Sequence, residues 1–525
     1  MINPPYAASE PPRIPMGLLY IGAVLEEAGH QVKVLDLLVS KPAPKRIRNT
    51  IEEFDPQVVG STSVTMNYPA TSSILKFVKE INPEITTIVG GPHVTFCWEE
   101  IGKTEPWIDI VVLGEGEKTV WELTAVLENN ADLSQVVGIA WRNGKDNGFI
   151  NNGNRSFISN LDSLPMPARH LFPLSRYRLL RMDAGLSTGR GCPFSCIFCV
   201  GPKMVGRKPR VRSPQKVVDE LEEVMKMGFE SIAFSDDHFA MNRKHAFAVC
   251  DEIIARGLKP VLNIFVRADS VDEEILAKMY EAGCRKVLFG VESGVQKIVD
   301  TAKKKQDLQM VKEKIALTKS MGIDVQASFI LGLPGESPAT IERTFEYAKS
   351  LKTFFGMHIL APLPGSEISE RAEDFGLTIH HRNWERYDAN RAVASTKTLS
   401  AEELNKIAEH YDAIFEKLAQ WDMDAYRKGL LSTSDRERIE RRRAQAFFWK
   451  VLRENIIEDF VPREDYKNPS HALNGLADIA GKHTGFEAEE SYMCLKSAFD
   501  DGEIEWKDGR FVISSAVYPK QKTPR

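Results

Sequence analysis

Residues 191–199 read Gly-Cys-Pro-Phe-Ser-Cys-Ile-Phe-Cys, so that Cys192, Cys196 and Cys199 follow a C-x3-C-x2-C spacing. Cysteine thiolates are the usual ligands of iron–sulfur clusters, and clusters held by four cysteines chiefly transfer electrons. Three thiolates offered to a cluster of four irons leave one iron free to bind a reactant. Gly191 and Pro193 add the turn-forming residues that a loop around a cluster needs. The spacing therefore indicates chemistry at an open iron.

Two other uses of these cysteines fit the sequence less well. A structural zinc site needs a fourth cysteine or histidine nearby, and none follows Cys199 closely. Disulfides need an oxidising compartment, whereas the 525-residue chain has seven cysteines, an odd number, and no charged and apolar leader at its start. We therefore expect a cytoplasmic protein with reduced thiols. The remaining cysteines are isolated, which is typical of small buried apolar residues: Cys97, Cys250, Cys284 and Cys494.

Short apolar runs alternate with helical stretches between about residues 183 and 364. The helical stretches cover 214–227, 243–256, 271–282 and 338–350. This alternation is typical of a parallel β/α barrel, in which the chemistry lies at the carboxyl ends of the strands. Polar residues follow several of the predicted strands, and although each alone is typical of a cap or loop, together they are predicted to line one rim. They are Asp236, Asp237, Arg267, Glu292, Ser293 and Glu336.

The cysteine run resembles the signature of the radical S-adenosylmethionine (SAM) superfamily, in which three cysteines hold a [4Fe-4S] cluster and SAM binds the fourth iron. Four later segments, in the same order as in that superfamily, resemble its strand motifs: 231–239, 287–294, 327–336 and 358–366. The resemblance implies a partial (β/α)6 barrel and a cluster on Cys192, Cys196 and Cys199. It implies SAM contacts at Phe198, Asp236, Arg267, Glu292, Ser293, Gly332, Leu333 and Pro334, and substrate contacts at His358 and Tyr387.

The first 150 residues have a different alternation. Helices are predicted at 16–29, 71–81 and 118–127, and strands at 31–37, 56–61, 85–90 and 108–113. This pattern predicts a doubly wound, flavodoxin- or Rossmann-like α/β sheet that binds its ligand beyond the carboxyl ends of the strands. A dinucleotide is disfavoured, because no G-x-G-x-x-G follows a first strand and the acidic loop at 114–117 suits phosphates poorly.

This region resembles the cobalamin-binding domain that precedes many radical SAM barrels. The similar segments are 3–6, 15–18, 29–32, 90–93 and 114–117. The resemblance implies cobalamin contacts at Ser61, Thr62, Ser63, Val64, Thr65, Gly90, Gly91, His93, Gly114, Glu115, Gly116 and Glu117. The D-x-H-x-x-G motif, whose histidine coordinates cobalt in the wider cobalamin family, is absent from this region. We therefore expect cobalt to bind without that histidine, with residues 62–68 against its lower face.

The region after the barrel is predicted to be mainly helical. Long helices are expected at 401–418 and 434–455, and the end reads as a helix at 487–499 followed by a hairpin turning at Asp508 and Gly509, a winged-helix-like pattern. The arginines between 436 and 443 are interspersed with acids in a chain of net charge −5, which favours a solvated face over a nucleic-acid site. The predicted domains are 1–150 (cobalamin), 151–180 (linker), 181–395 (radical SAM barrel) and 396–525 (helical). No apolar run approaches 20 residues, so no membrane partner is expected.

The two resemblances together imply a radical SAM C-methyltransferase with a [4Fe-4S] cluster, SAM and methylcobalamin as cofactors. Such an enzyme needs an external one-electron reductant. The winged end favours a protein or peptide substrate, for which a glutamine of methyl-coenzyme M reductase is one candidate. The alternatives are methylation of a small molecule or lipid, or an oxidative cyclase of the anaerobic magnesium-protoporphyrin monomethyl ester type. A tRNA methylthiotransferase would need a second set of three cysteines in the N-terminal region, which Cys97 alone does not supply.

Overall fold

The computed structural model describes residues 1–6, 13–144, 148–463, 466 and 468–519, with Ser434 described by its backbone alone. Strands and helices alternate through the N-terminal region. The strands are β1 Ile2–Asn3, β2 Leu35–Asp36, β3 Val58–Thr62, β4 Thr86–Gly90, β5 Ile110–Val112, β6 Ile139–Trp141 and β7 Ile150–Asn151. The helices are α1 Met16–Glu27, α2 Pro44–Phe54, α3 Tyr68–Ile81, α4 Pro92–Thr104 and α5 Glu117–Glu128.

In the described N-terminal residues these strands form one sheet in the order β2-β1-β3-β4-β5-β6-β7. The pairs from β2 to β5 are parallel, and β6 and β7 add an antiparallel edge. The parallel part has the 2-1-3-4-5 order of flavodoxin-like sheets, whose ligand crevice opens between β1 and β3. The strand predicted at 31–37 is shorter, because its neighbour β1 offers only two residues to pair with β2.

The barrel region also alternates strands and helices, and its helices lie outside a parallel sheet. Its strands are β8 Ala184–Leu186, β9 Gly189–Arg190, β10 Arg210–Val211, β11 Ile232–Phe234, β12 Leu262–Val266, β13 Cys284–Glu292, β14 Asp324–Leu331 and β15 Phe354–Ile359. Its helices are α6 Leu174–Leu179, α7 Gly201–Met204, α8 Pro214–Lys226, α9 Arg243–Ala255, α10 Glu273–Glu281, α11 Gln296–Thr301, α12 Leu308–Ser320, α13 Pro338–Ser350 and α14 Glu367–Glu370. Of these strands, β8 and β11 to β15 form the parallel barrel wall, while β9 and β10 form a separate antiparallel hairpin.

The last region is mainly helical, as predicted. A strand pair, β16 Thr378–Ile379 and β17 Ala394–Ser395, precedes it. The helices are α15 Ala401–Arg427, α16 Thr433–Arg453, α17 Ile456–Asp459, α18 Pro469–Thr484 and α19 Ala488–Asp500, and the hairpin strands are β18 Ile504–Lys507 and β19 Arg510–Ile513. The predicted hairpin turn is present, with positive φ at both Asp508 and Gly509. Helix α18 was not predicted, because glycines interrupt its apolar face.

The arginines of α16 are not a solvated face throughout, contrary to the sequence expectation. Arg441 donates hydrogen bonds to the Arg181 carbonyl and to the Ser231 hydroxyl, each at 2.8 Å. Arg443 is ion-paired with Glu490 on α19. Helix α16 therefore packs beneath the amino-terminal ends of the barrel strands, and its charges join the barrel to the C-terminal helices.

A continuous apolar core crosses all three regions. It contains Leu18 and Leu38 from the N-terminal region, Phe234 from the barrel, and Phe447 and Phe511 from the C-terminal region. The boundaries between the regions stay predictions. Among the described residues, we find no helix with both the length and the apolar character needed to cross a membrane.

Candidate active site

The loop that carries the three cysteines joins β9 to β10, and two neighbouring carboxylates hold its base. Asp236 accepts hydrogen bonds from the N–H groups of Thr188 (2.7 Å) and Gly189 (3.2 Å), and Asp237 accepts one from the N–H of Gly191 (3.1 Å). Burial raises the pKa of Asp236 to about 6, against the lowering effect of these hydrogen bonds. The predicted SAM contact at Asp236 thus has an observed structural role as an anchor of the loop.

The loop itself is fixed to the barrel rim through its backbone. Cys199 is exposed and accepts a hydrogen bond from the N–H of Gly201 at 3.3 Å. The Ile197 N–H donates to the carbonyl of Ala302, and the Ile197 carbonyl accepts from Ile368, so the middle of the loop is fixed to the rim. No group of three histidine, cysteine or acidic side chains in the described residues could hold a single metal ion. A [4Fe-4S] cluster needs no such group, since each cysteine binds a different iron.

Charged side chains surround Cys196. Burial raises the pKa of the Cys196 thiol, while the nearby cations of Lys304 and Arg267 act in the opposite direction and favour the thiolate that a cluster requires. The guanidinium of Arg267 lies 3.7 Å from the centre of the Phe194 ring, in the cysteine loop. Its Nη1 is buried and has no hydrogen-bond partner among the described residues. The other nitrogens of Arg267 are engaged, since Nε and Nη2 pair with Asp269 and Nη2 also donates to the Lys304 carbonyl. Nη1 is therefore the atom left for a further acceptor beside a cluster.

Glu292 lies at the carboxyl end of β13 and forms a buried ion pair with Lys304 at 2.6 Å. The backbone of Glu292 has φ of 71°, a left-handed conformation that is costly for a residue with a side chain. A Cβ at Gly290 would lie 2.5 Å from the Glu292 carboxylate, so this glycine makes room for the pair. Strain of this kind is concentrated at functional sites. The contact of Glu292 with SAM stays a prediction, with Lys304 as a partner that the sequence did not indicate.

Ser293 and the turn after β14 are more enclosed than expected. Ser293 is fully buried and hydrogen-bonded to Thr344, so its hydroxyl is not free to contact a ribose. Glu336, also fully buried, accepts hydrogen bonds from the N–H groups of Gly332 (2.6 Å) and Leu333 (3.1 Å). Phe198 packs against the apolar cluster that contains Leu333. Buried Pro334 completes this turn, whose backbone remains the predicted SAM contact.

The barrel interior opens at its lower end into a groove beside α15, α16 and α19, and the two spaces together measure about 2450 Å³. Glu292 and His358 line it near the rim, and Lys286 and Arg441 line it toward the lower end. His358 therefore faces the space in which a substrate would lie. Tyr387 does not line this cavity: it is buried, its ring lies 5.0 Å from that of Trp384, and its hydroxyl donates to the carbonyl of His381. The substrate contact of Tyr387 stays a prediction, and these contacts give it no support.

The end of β3 and the loop after it border the crevice of the N-terminal sheet. Ser61 and Ser63 are buried, and their hydroxyls donate to backbone carbonyls. Thr62 is half-buried and Val64 is exposed, so these residues form the accessible edge. Gly90 and Gly91 lie at the end of β4, where a Cβ at Gly91 would lie 2.5 Å from the Ser63 carbonyl oxygen. The tight junction of β3 and β4 shapes the floor of the crevice.

His93 and Thr65 lie below this edge rather than in it. The His93 side chain is 1% exposed, and its ring lies 4.4 Å from that of Tyr68 and 4.9 Å from that of Trp384. Burial lowers the pKa of His93 to about 3, so the ring is neutral. Its Nδ1 is 3.4 Å from the Thr65 hydroxyl, and Thr65 is also buried. His93 therefore packs against the barrel-closing segment with its Nε2 buried and without a hydrogen-bond partner among the described residues, and its corrinoid contact stays a prediction.

In the acidic loop after β5, both carboxylates are ion-paired with arginines of the barrel region. Glu117 is ion-paired with Arg190, and Glu115 is ion-paired with Arg190 and Arg210. Burial would raise the pKa of Glu115, but hydrogen bonds from Arg210 and the Ile158 N–H hold it below its ordinary value. Both carboxylates are therefore already bound. The expected corrinoid contacts of this loop are left to its backbone and to Gly114, where a Cβ would meet no atom within 4 Å; Gly116 packs against Ile21.

Sequence reasoning predicted Arg267 but missed three other basic residues of the site, Arg190, Lys304 and Arg210. Arg190 directly precedes Gly191, and its place beside the cysteine run was the available signal. Lys304 stands within the run Lys303-Lys304-Lys305, which is typical of a solvated surface. Arg210 carried no signal, because its partner lies 95 residues away.

Comparison with known proteins agrees with this geometry. Residues 7–124 match the family model of the B12 binding domain, and residues 186–348 match that of the radical SAM superfamily. An uncharacterized methyltransferase of Pyrococcus horikoshii is 32% identical over 397 residues, covering 75% of this chain and 85% of the relative. An anaerobic magnesium-protoporphyrin IX monomethyl ester cyclase of Rubrivivax gelatinosus is 29% identical over 415 residues. The match covers 76% of this chain and 73% of the cyclase.

Among solved structures, the radical SAM methyltransferase TsrM of Kitasatospora setae, with cobalamin and a [4Fe-4S] cluster bound, has the same fold. The two structures superpose with a TM-score of 0.59, and the sequences are 21% identical. The match covers 72% of this chain and 79% of the TsrM chain.

A doubly wound B12-binding domain followed by a barrel with a three-cysteine loop defines a radical enzyme that combines a cluster with a corrinoid. The chain belongs to the cobalamin-dependent radical SAM methyltransferase family. Its cofactors are therefore a [4Fe-4S] cluster, SAM and cobalamin. The cysteine loop and the open crevice beside Thr62, Val64 and Gly114 fit these groups.

Proposed function

We propose that this enzyme moves a methyl group from SAM, by way of methylcobalamin, to an unactivated carbon of a protein side chain. The observation that carries the proposal is the winged-helix-like end of the chain, in which α19 is followed by the β18–β19 hairpin. Modules of this shape recognise macromolecules, and a glutamine of methyl-coenzyme M reductase is our candidate target.

The bound cofactors supply a radical that takes hydrogen from a C–H bond and a methyl group that replaces it. The chain's own residues order and enclose these reactants. We assign Cys192, Cys196 and Cys199 to the cluster, and we assign the orphaned Nη1 of Arg267 to an anionic group of SAM. Glu292, fixed by Lys304, is assigned to the SAM amino group.

His358 is assigned to the substrate because it lines the cavity near Glu292. An external one-electron reductant completes the reaction. The seven unpaired cysteines support a cytoplasmic setting for such a reductant.

The test is anaerobic incubation of the holoenzyme with SAM, a reductant and a peptide that contains this glutamine. We expect the peptide to gain the mass of one methyl group in place of hydrogen, with both S-adenosylhomocysteine and 5′-deoxyadenosine released. The variant Cys196→Ala should abolish SAM cleavage, whereas Cys494→Ala, an isolated cysteine, should retain it. A peptide of unchanged mass would refute the glutamine assignment.

An oxidative cyclase is the second candidate, because the Rubrivivax gelatinosus cyclase is 29% identical over most of this chain. A cyclase would not transfer a methyl group to its substrate. It would therefore release 5′-deoxyadenosine without S-adenosylhomocysteine. Measuring both products in the same turnover assay separates the two functions.

A further inference from the structure

We propose that Glu115, Glu117, Arg190 and Arg210 are positioning residues that hold the cluster loop against the corrinoid crevice and report the occupancy of that crevice to the loop. The inference rests on the methyl transfer proposed above, which needs both the cluster and the corrinoid. It adds a route by which the corrinoid site acts on the cluster loop. It concerns side chains that lie between the sites and touch neither reacting group.

The four side chains form a network with balanced charge. Arg190 is 2.5 Å from Glu117 and 3.1 Å from Glu115, and Arg210 approaches Glu115 through two nitrogens at 2.8 and 2.9 Å. The side chains of Glu115 and Glu117 are each 6% exposed, that of Arg210 is 9% exposed and that of Arg190 is 15% exposed. Ion pairs so far removed from water are screened little by salt and depend strongly on geometry.

The acidic half of the network belongs to the corrinoid crevice. Glu115 and Glu117 follow β5, at the carboxyl edge of the N-terminal sheet, and Glu117 is the first residue of α5. The positive end of the helix dipole favours a carboxylate there. Gly114 directly precedes them and faces open space. A ligand that settles on Gly114 therefore fixes the backbone to which both carboxylates are attached.

The basic half belongs to the cluster loop. Arg190 and Arg210 are register partners in the β9–β10 hairpin, from which residues 191–209 project. A Cβ at Gly189 would lie 2.8 Å from the Arg210 carbonyl oxygen, so the two strands are closely apposed. Arg210 also donates to the carbonyl of Val205, within the loop, at 2.5 Å. The hairpin cannot shift without breaking contacts to the acidic half.

Removing one partner of a buried ion pair leaves the other charge uncompensated, which is strongly unfavourable. Whatever orders the carboxylates therefore orders the arginines, and the effect is reciprocal. A merely structural network would hold the domains together but would transmit no effect of cobalamin. This difference makes the proposal testable.

The experiment is hydrogen exchange, followed by mass spectrometry, on the peptides of residues 189–211 in full-length, cluster-loaded protein with and without hydroxocobalamin. We expect hydroxocobalamin to slow exchange of the wild-type hairpin by about fivefold or more, the lower end of ordinary coupling. In Glu117→Gln the slowing should fall below about twofold. The matched control is Glu122→Gln on the same helix, whose partner Arg155 also donates to Thr119 and Val137 of the N-terminal region, and it should behave as wild type.

A second readout separates coupling from misfolding. Glu117→Gln should still bind hydroxocobalamin, measured by its absorption spectrum, and should keep its iron content, while the electron paramagnetic resonance of the reduced cluster should no longer respond to the corrinoid. If this variant loses either cofactor, Arg190→Lys, which keeps the charge, takes its place and should give intermediate slowing. An unresponsive wild-type hairpin, or full slowing in the variant used, would overturn the proposal. Failure to methylate a peptide would instead overturn only the proposed substrate.

Discussion

Gly191 is the residue at which the cluster loop leaves the barrel, and its backbone admits no side chain. Its φ is 103°, and a Cβ would lie 2.6 Å from the carbonyl oxygen of Lys208. We expect Gly191→Ala to cost about 1–3 kcal/mol of local strain and to lower the iron and sulfide content sharply, with cobalamin binding retained. Gly17→Ala on α1, where a Cβ meets nothing within 4 Å, should keep its cluster. Full iron content in Gly191→Ala would contradict this role.

Glu336 makes the turn after β14 sensitive to pH. Burial raises its pKa from 4.5 to about 7. Because the folded pKa lies above the unfolded one, the stabilising contribution is complete below about pH 4.5 and is lost as the pH rises through about 7. As the pH is raised from about 4.5 to about 7, the free energy of unfolding of wild type should fall by about 3 kcal/mol more than that of Glu336→Gln. Urea titrations of both proteins at several pH values measure the difference, and parallel curves would contradict it.

At the scale of elements, we predict that Arg441 holds helix α16 against the barrel. Its guanidinium donates to the Arg181 carbonyl and the Ser231 hydroxyl. We expect Arg441→Ala to lower the free energy of unfolding by about 1 kcal/mol, because two part-buried acceptors lose their donor. Arg436→Ala removes only an exposed pair with Glu440 on the same helix and should change stability by less than about 0.5 kcal/mol. Chemical denaturation distinguishes them, and equal losses would argue against docking through Arg441.

The elements were largely predictable, whereas their contacts were not. Alternating apolar runs predicted β2 to β5 of the N-terminal sheet and the alternation of the barrel, because strand and helix periods are local properties of a sequence. They did not predict β1, β6 and β7, each of which has only two or three residues. The spacing of Cys192, Cys196 and Cys199 predicted the loop in the same way. Glu115 finds Arg190 across 75 residues, and that pairing is decided by how two regions pack. The sequence of either segment alone therefore shows that its residues are charged but not which residues they pair with. For this reason the two carboxylates were predicted to contact the corrinoid.

At the scale of the whole molecule, His93 makes the contact between the N-terminal region and Trp384 sensitive to acid. Burial lowers its pKa from 6.5 to about 3. Because the unfolded chain binds the proton first, this stabilising contribution is present above about pH 6.5 and is lost as the pH falls toward 3. At about pH 4.5, wild type should therefore have lost about 3 kcal/mol more than His93→Phe. Urea unfolding across this range, with the exposed His471→Phe as control, measures the loss.

An acid response of His93→Phe identical to that of wild type would show that the ring is hydrated in solution. The histidine would then be free for another role. A difference confined to His93→Phe, absent from His471→Phe, would place the proton at the contact with Trp384.

The barrel is completed by the end of the chain. Arg178, buried at the start of the barrel, donates to the carboxylate of Glu503 at 2.6 Å and to the carbonyl of Ala516 at 3.1 Å. Glu503 follows it by 325 residues. A ribosome that adds about 5–20 residues per second needs about 15–65 seconds to supply that partner. During synthesis the barrel therefore lacks the carboxylate that neutralises Arg178, and this part of the core stays incomplete for that interval.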